Sequence, residues 1–153
     1  LIDIAERFKG EFDFRIDVIG KGSLMEELDR KDLNIHVHGF MGKERFDYFR
    51  KANCLLALQR YPVPFGMNVL EGMAFGVPVI GFRGCGPGCL IEENNAGIAV
   101  GMDENELFDA IKRLKEDEKL VNSIRKSQRR SMGKYERGKV FKAYESVFKG
   151  AVS

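Results

Sequence analysis

The stretch of this chain best suited to chemistry runs from Phe65 to Ile80. In Phe65-Gly66-Met67 a glycine stands at the opening of an expected helix. Backbone N–H groups left over at a helix start, with the positive end of the dipole, suit such a place to a diphosphate. Glycine lets phosphates approach without a side chain in the way; fitting a sharp strand-to-helix turn is its alternative role. Glu71 follows Met67 by four residues, about one helical turn further on. Its apolar neighbours Leu70, Met73 and Ala74 put its carboxylate at the edge of a site. There it can accept both hydroxyls of a ribose through charge-assisted hydrogen bonds; a surface salt bridge is the alternative.

Gly20-Lys21-Gly22 is a weaker pattern. Met25 occupies the place of the third glycine in a dinucleotide fingerprint, so ligand contact and a plain tight turn stand as equal readings. Lys21 suits an anion or a solvated turn equally well. His36 and His38 alternate on one side of a strand, a spacing two metal ligands can use. No carboxylate or cysteine cluster accompanies them, and partly exposed strand histidines are the better reading. Cys85 and Cys89 share a glycine-rich loop with no histidine or second cysteine pair nearby, which argues against zinc. No metal site is expected. No Ser-His-Asp set, thiol–imidazole pair or paired acid and base stands out, so no catalytic residue is assigned.

The elements that must hold these residues alternate between strand and helix. A first helix covers residues 1–8, with apolar side chains at 1, 4, 5 and 8. It starts without a cap, a methionine or a preceding strand, so the chain reads as cut from something longer. Strands are expected at 14–19, 35–40, 54–58, 78–82 and 97–100, and helices at 24–28, 43–52, 66–75 and 89–93. The continuously apolar Cys54-Leu55-Leu56-Ala57-Leu58 suits a central parallel strand buried on both faces. Beyond Asp103 the chain is helical, and Val140, Phe141, Tyr144, Val147 and Phe148 form its clearest amphipathic stripe. This order predicts an α/β fold: a Rossmann-like parallel sheet with helices on both faces and a helical C-terminal end. Ligands of such sheets bind beyond the carboxyl ends of the strands, where Gly20, Gly39, Gly81 and Gly84 fall.

Composition excludes several classes. The 153 residues fit one domain, with 44% hydrophobic and 31% charged residues, as in ordinary globular proteins. A net charge of +2 gives no argument for nucleic acid. The basic residues between Lys112 and Lys142 are interleaved with acids and read as a solvated helical face. No apolar run approaches the roughly 20 residues needed to span a bilayer, and no signal peptide opens the chain. Three cysteines without framework spacing, Cys54 reading as core, favour a reducing, cytoplasmic setting.

Together these features resemble the donor-binding domain of family 4 (group 1) glycosyltransferases, one half of a GT-B fold. The likeness covers almost the whole chain. It runs from Val18-Ile19-Gly20-Lys21-Gly22-Ser23 and Val37-His38-Gly39-Phe40 through Gly86-Pro87 and Gly97-Ile98-Ala99-Val100 to Tyr144 and Phe148. Its specific part is Glu71-Gly72-Met73-Ala74-Phe75-Gly76-Val77-Pro78-Val79-Ile80. The resemblance implies a retaining transferase whose substrate is a UDP-, GDP- or ADP-sugar, with no metal or other cofactor. A separate N-terminal domain, absent here, would bind the acceptor, and membrane association would come through absent parts. Glu71 would hold the ribose, the backbone at Phe65, Gly66 and Met67 the sugar or diphosphate, and Phe40 and Met41 would lie beside the base. The implied donor-binding set is Gly20, Lys21, Gly22, Phe40, Met41, Phe65, Gly66, Met67, Leu70 and Glu71.

Some positions depart from the family pattern. The family has two glutamates separated by seven residues; Glu71 matches the second, and Val63 stands in the place of the first. Gln59-Arg60 replaces a usual Pro-Ser, ahead of Tyr61-Pro62. Cys89 falls where a glutamate often stands. The basic residues that neutralise the diphosphate in the family would lie upstream of Leu1. The isolated chain is therefore expected to bind its donor weakly and not to turn over. A non-catalytic GT-B scaffold subunit, or an epimerase or phosphorylase of the same fold, are the alternative readings.

Overall fold

A computed structural model describes residues 1–11, 13–59 and 63–151. The chain divides into two compact units, residues 1–52 and 53–153.

In the first unit, α1 (Ile2–Phe8) precedes β1 (Ile16–Val18), α2 (Met25–Leu28), β2 (Ile35–Val37) and α3 (Arg45–Lys51). β1 and β2 pair in parallel, Ile16 beside Ile35 and Val18 beside Val37. The apolar positions of α1 do what their spacing predicts: Ile4, Ala5 and Phe8 are buried. Ala5 packs with Leu33 and Ile35, and Phe14, Ile16 and Val18 close around them. The Phe8 ring meets Phe14 edge-on at 5.6 Å. Both strands are shorter than the apolar runs that announced them. β2 stops before His38 because Gly39, at φ 70°, turns the backbone into the left-handed region.

The second unit is built on β3 (Leu55–Ala57), β4 (Val79–Phe82) and β5 (Gly97–Val100), parallel in the order β3-β4-β5. The helices are α4 (Met67–Ala74), α5 (Gly86–Asn94), α6 (Glu104–Glu116), α7 (Glu118–Met132) and α8 (Arg137–Ala151). The central place expected for 54–58 goes instead to β4, which is paired on both edges and buried along its whole length. Val79 points into a core with Ala57, Val69, Met73, Leu90 and Ile91, formed where α4 and α5 lie on the sheet. Ile80 and Phe82 point the other way by strand alternation and are buried too, so both faces of β4 are covered.

Asp103 caps α6 by accepting the N–H groups of Asn105 and Glu106, and Asp117 caps α7 by accepting that of Leu120. The apolar stripe of α8 stays in solvent: Phe141, Tyr144, Val147 and Phe148 are each about two-thirds exposed. Among the described residues no helix is long and apolar enough to cross a membrane.

Candidate functional site

α4 opens on Gly66, whose φ of 96° lies in the left-handed region. A Cβ at this position would come 2.9 Å from Pro87 Cγ and 3.2 Å from Pro87 Cα. The glycine is therefore required twice, by the sharp turn into the helix and by the close approach of a second helix start. Gly66 has no side chain with which to cap α4, and the first turn holds no acidic residue. Val69 N–H turns back to Gly66 O at 3.0 Å and Asn68 Oδ1 at 3.1 Å. No carboxylate of its own first turn therefore neutralises the positive pole of α4.

α5 begins at Gly86, three residues before its expected start. Pro87 explains the difference, since its fixed φ is preset for the first helical turn, where a missing N–H costs nothing. Gly86 N–H donates to Val63 O at 2.9 Å. A side chain at Gly86 would collide with the Val63 carbonyl and with Pro64 and Phe65 backbone atoms. Cys85 precedes the helix in extended conformation, its thiol donating to Phe82 O at 3.1 Å. This helix start also lacks a side-chain cap and an acidic first turn.

Where the two starts meet, a cleft of about 490 Å³ opens. Val63, Pro64 and Phe65 line it from the segment before α4, and Cys85, Cys89, Leu90 and Glu93 from α5 and its approach. Val63 and Cys89, both noted in the sequence as departures, therefore share one cavity. Nothing in their separation along the chain announced this. Pro64 and Glu93 were not singled out at all; the glycine-rich run before Glu93 was the available signal.

The predicted residues divide between the two units. In the second, Met67 and Phe65 are exposed at the α4 start, and Glu71 is half-buried a turn along. Leu70 packs against the core around Val69 and Met73. In the first unit, Gly20 N–H donates to Gly39 O at 2.7 Å, drawing the loop Gly20-Lys21-Gly22 to the one that carries Phe40 and Met41. Lys21 and Gly22 are exposed, Phe40 is 76% exposed and Met41 half-buried. Arg60, Tyr61 and Pro62 lie outside the described residues.

Both histidines have local partners. His38 Nε2 lies 2.6 Å from Asp17 Oδ1, with the Tyr48 hydroxyl 3.4 Å from its other ring nitrogen. Arg15 adds a bond of 2.8 Å to the same carboxylate oxygen. His36 sits between Asn34 Oδ1 and Lys31 Nζ, at 2.8 and 3.2 Å. Burial pushes the Cys54 thiol up to about 11, in keeping with a packing role.

A family model described as glycosyl transferases group 1 matches residues 1–117. No curated protein matches the chain significantly. Three solved structures illustrate its likeness of fold. HepE of Anabaena, crystallised with UDP and glucose, superposes at a TM-score of 0.76 and 16% identity, covering 97% of this chain and 44% of HepE. A glycosyltransferase of Rickettsia africae gives 0.76 at 17% identity, covering 98% of this chain and 43% of that one. TarM of S. aureus, with fondaparinux, alpha-GlcNAc-glycerol and UDP, gives 0.76 at 20% identity, covering 96% and 31%. At these identities the likeness is one of fold, a Rossmann-like half of GT-B. The chain spans less than half the length of each of these structures.

Proposed function

This chain belongs to the group 1 glycosyltransferases, and we propose that within that family it is the donor-binding half of a retaining enzyme. The observation that carries this reading is the start of α4, opened by left-handed Gly66 against Pro87, with no acidic residue in its first turn, beside the cleft. A nucleoside diphosphate sugar would set its diphosphate at that positive pole. Glu71, on the next turn, would accept the ribose hydroxyls, and the sugar would enter the cleft. UDP in the HepE and TarM crystals supports a nucleotide of this class. The donor roles of Gly20, Lys21, Gly22, Phe40 and Met41 belong to the same proposal.

The donor is the substrate, and the reading requires no resident metal or cofactor. Acceptor binding, and any contact with a membrane surface, we assign to parts of a longer cytoplasmic enzyme outside this chain. Calorimetry with UDP, GDP and ADP tests the donor site. At least one should bind saturably, unchanged by EDTA, and Glu71→Ala should weaken it about tenfold to a hundredfold, since a charged hydrogen bond contributes about 1.5–3 kcal/mol. Absence of saturable binding by all three, to this chain and to the full-length protein alike, sinks the proposal.

Val63 and Cys89 favour a second reading, a non-catalytic subunit that scaffolds a partner enzyme, because neither offers a carboxylate to the cleft. Turnover of a nucleotide sugar by the full-length protein, lost on Glu71→Ala, would eliminate it.

A further inference from the structure

Among the described residues that line it, the cleft beside α4 and α5 has few side chains that can pair with a sugar hydroxyl. Val63, Pro64, Phe65 and Leu90 present hydrocarbon, and Glu93 is the one charged side chain among its described lining residues. The Cys85 thiol is committed to Phe82 O, and the Cys89 thiol is a weak donor at best. Gly86 N–H donates to Val63 O, Cys89 N–H to Cys85 O at 3.0 Å, and Pro87 has no N–H.

A hexosyl group loses water partners from several hydroxyls when it enters a cavity of this size. A hydroxyl that gives up its water against Val63 or Leu90 goes unpaired, whereas a C–H edge in the same place gains contact and gives up no hydrogen bond. We infer that the cleft takes the sugar of a deoxygenated donor, a nucleoside diphosphate whose pyranose presents a C–H edge to Val63. This rests on the donor-binding reading above and makes Val63 the residue that sets sugar preference. An apolar wall discriminates against an added hydroxyl only modestly, so the preference is about tenfold to a hundredfold.

The test takes whichever of UDP, GDP and ADP binds best, its glucose conjugate, and that conjugate singly deoxygenated at C3, C4 or C6. Calorimetry on the unaltered chain should show at least one deoxy conjugate binding tenfold or more tighter than the glucose conjugate. Val63→Thr, close in size but bearing a hydroxyl, should shrink that preference. The comparison on the unaltered chain stands even where the variant fails to fold. If the nucleotide binds yet the glucose conjugate binds as tightly as every deoxy conjugate, this inference is overturned and the donor reading survives. If a preference exists but Val63→Thr, folded, leaves it unchanged, Val63 does not set it and the inference is equally overturned. If no nucleotide binds, the donor reading fails and this inference with it.

Discussion

Gly66 and Pro87 are packed so that a Cβ on the glycine would stand 2.9 Å from Pro87 Cγ. The starts of α4 and α5 consequently meet without a side chain between them, and the cleft opens where they converge. The segment Val63–Phe65 is tied to this junction by the bond from Gly86 N–H to Val63 O.

Gly66→Ala tests that junction. The left-handed backbone alone should cost about 1–3 kcal/mol of stability, and the contact with Pro87 adds to it. Urea unfolding followed by circular dichroism should show a lowered midpoint, and nucleotide affinity should fall with it. A variant with unchanged midpoint and unchanged affinity would show that the junction tolerates a side chain.

A second test concerns Gln128, wholly buried on α7. Its Nε2 donates to Val77 O at 2.7 Å and Ala96 O at 2.8 Å, the carbonyls that lead into β4 and β5. Gln128→Leu keeps the volume and strips Val77 O of this donor, while Ala96 O keeps the N–H of Val79 at 3.1 Å. The loss of that bond should lower stability by about 1–2 kcal/mol, read as a shift of the urea midpoint at constant slope. A shift under a few tenths of a kcal/mol would mean that water or a neighbour replaces the amide.

The pH dependence is tied to Asp17. Burial pushes its carboxyl up, but hydrogen bonds from Arg15 and His38, with the charges of both, outweigh burial and hold it below the ordinary aspartate value. A carboxyl held lower in the folded state than in the unfolded one contributes stability that is fully present above the unfolded value, near 3.9. That contribution is lost as pH falls through the folded one. Asp17→Asn should therefore reduce stability at pH 7 and flatten its decline below about pH 4. Urea midpoints measured from pH 3 to pH 7 decide this. Parallel curves for the two proteins would remove Asp17 from the account.

Much of the fold could be read from residue order. The alternation of apolar runs with glycine-ended turns announced five strands, and all five formed in parallel pairs. Boundaries were less legible. β2 stops where Gly39 turns the backbone, and α5 starts at the residue that Pro87 permits rather than where its apolar side chains begin. The rank of the strands was not legible at all. Cys54 to Leu58 is as apolar as a central strand, yet β4 holds that place, because centrality depends on partners on both edges and not on a strand's own composition.

From the sequence by itself came the α/β order, the glycine that opens α4 and the carboxylate one turn beyond it, for these are local patterns of side-chain size, charge and period. Only the tertiary structure decided that Gly66 must also admit Pro87, that Gln128 pins the approaches to two strands, and that Val63 and Cys89 line one cleft. Those facts depend on which segments the packing of α4 and α5 against the sheet brings together, a long-range outcome that no short window of residues encodes.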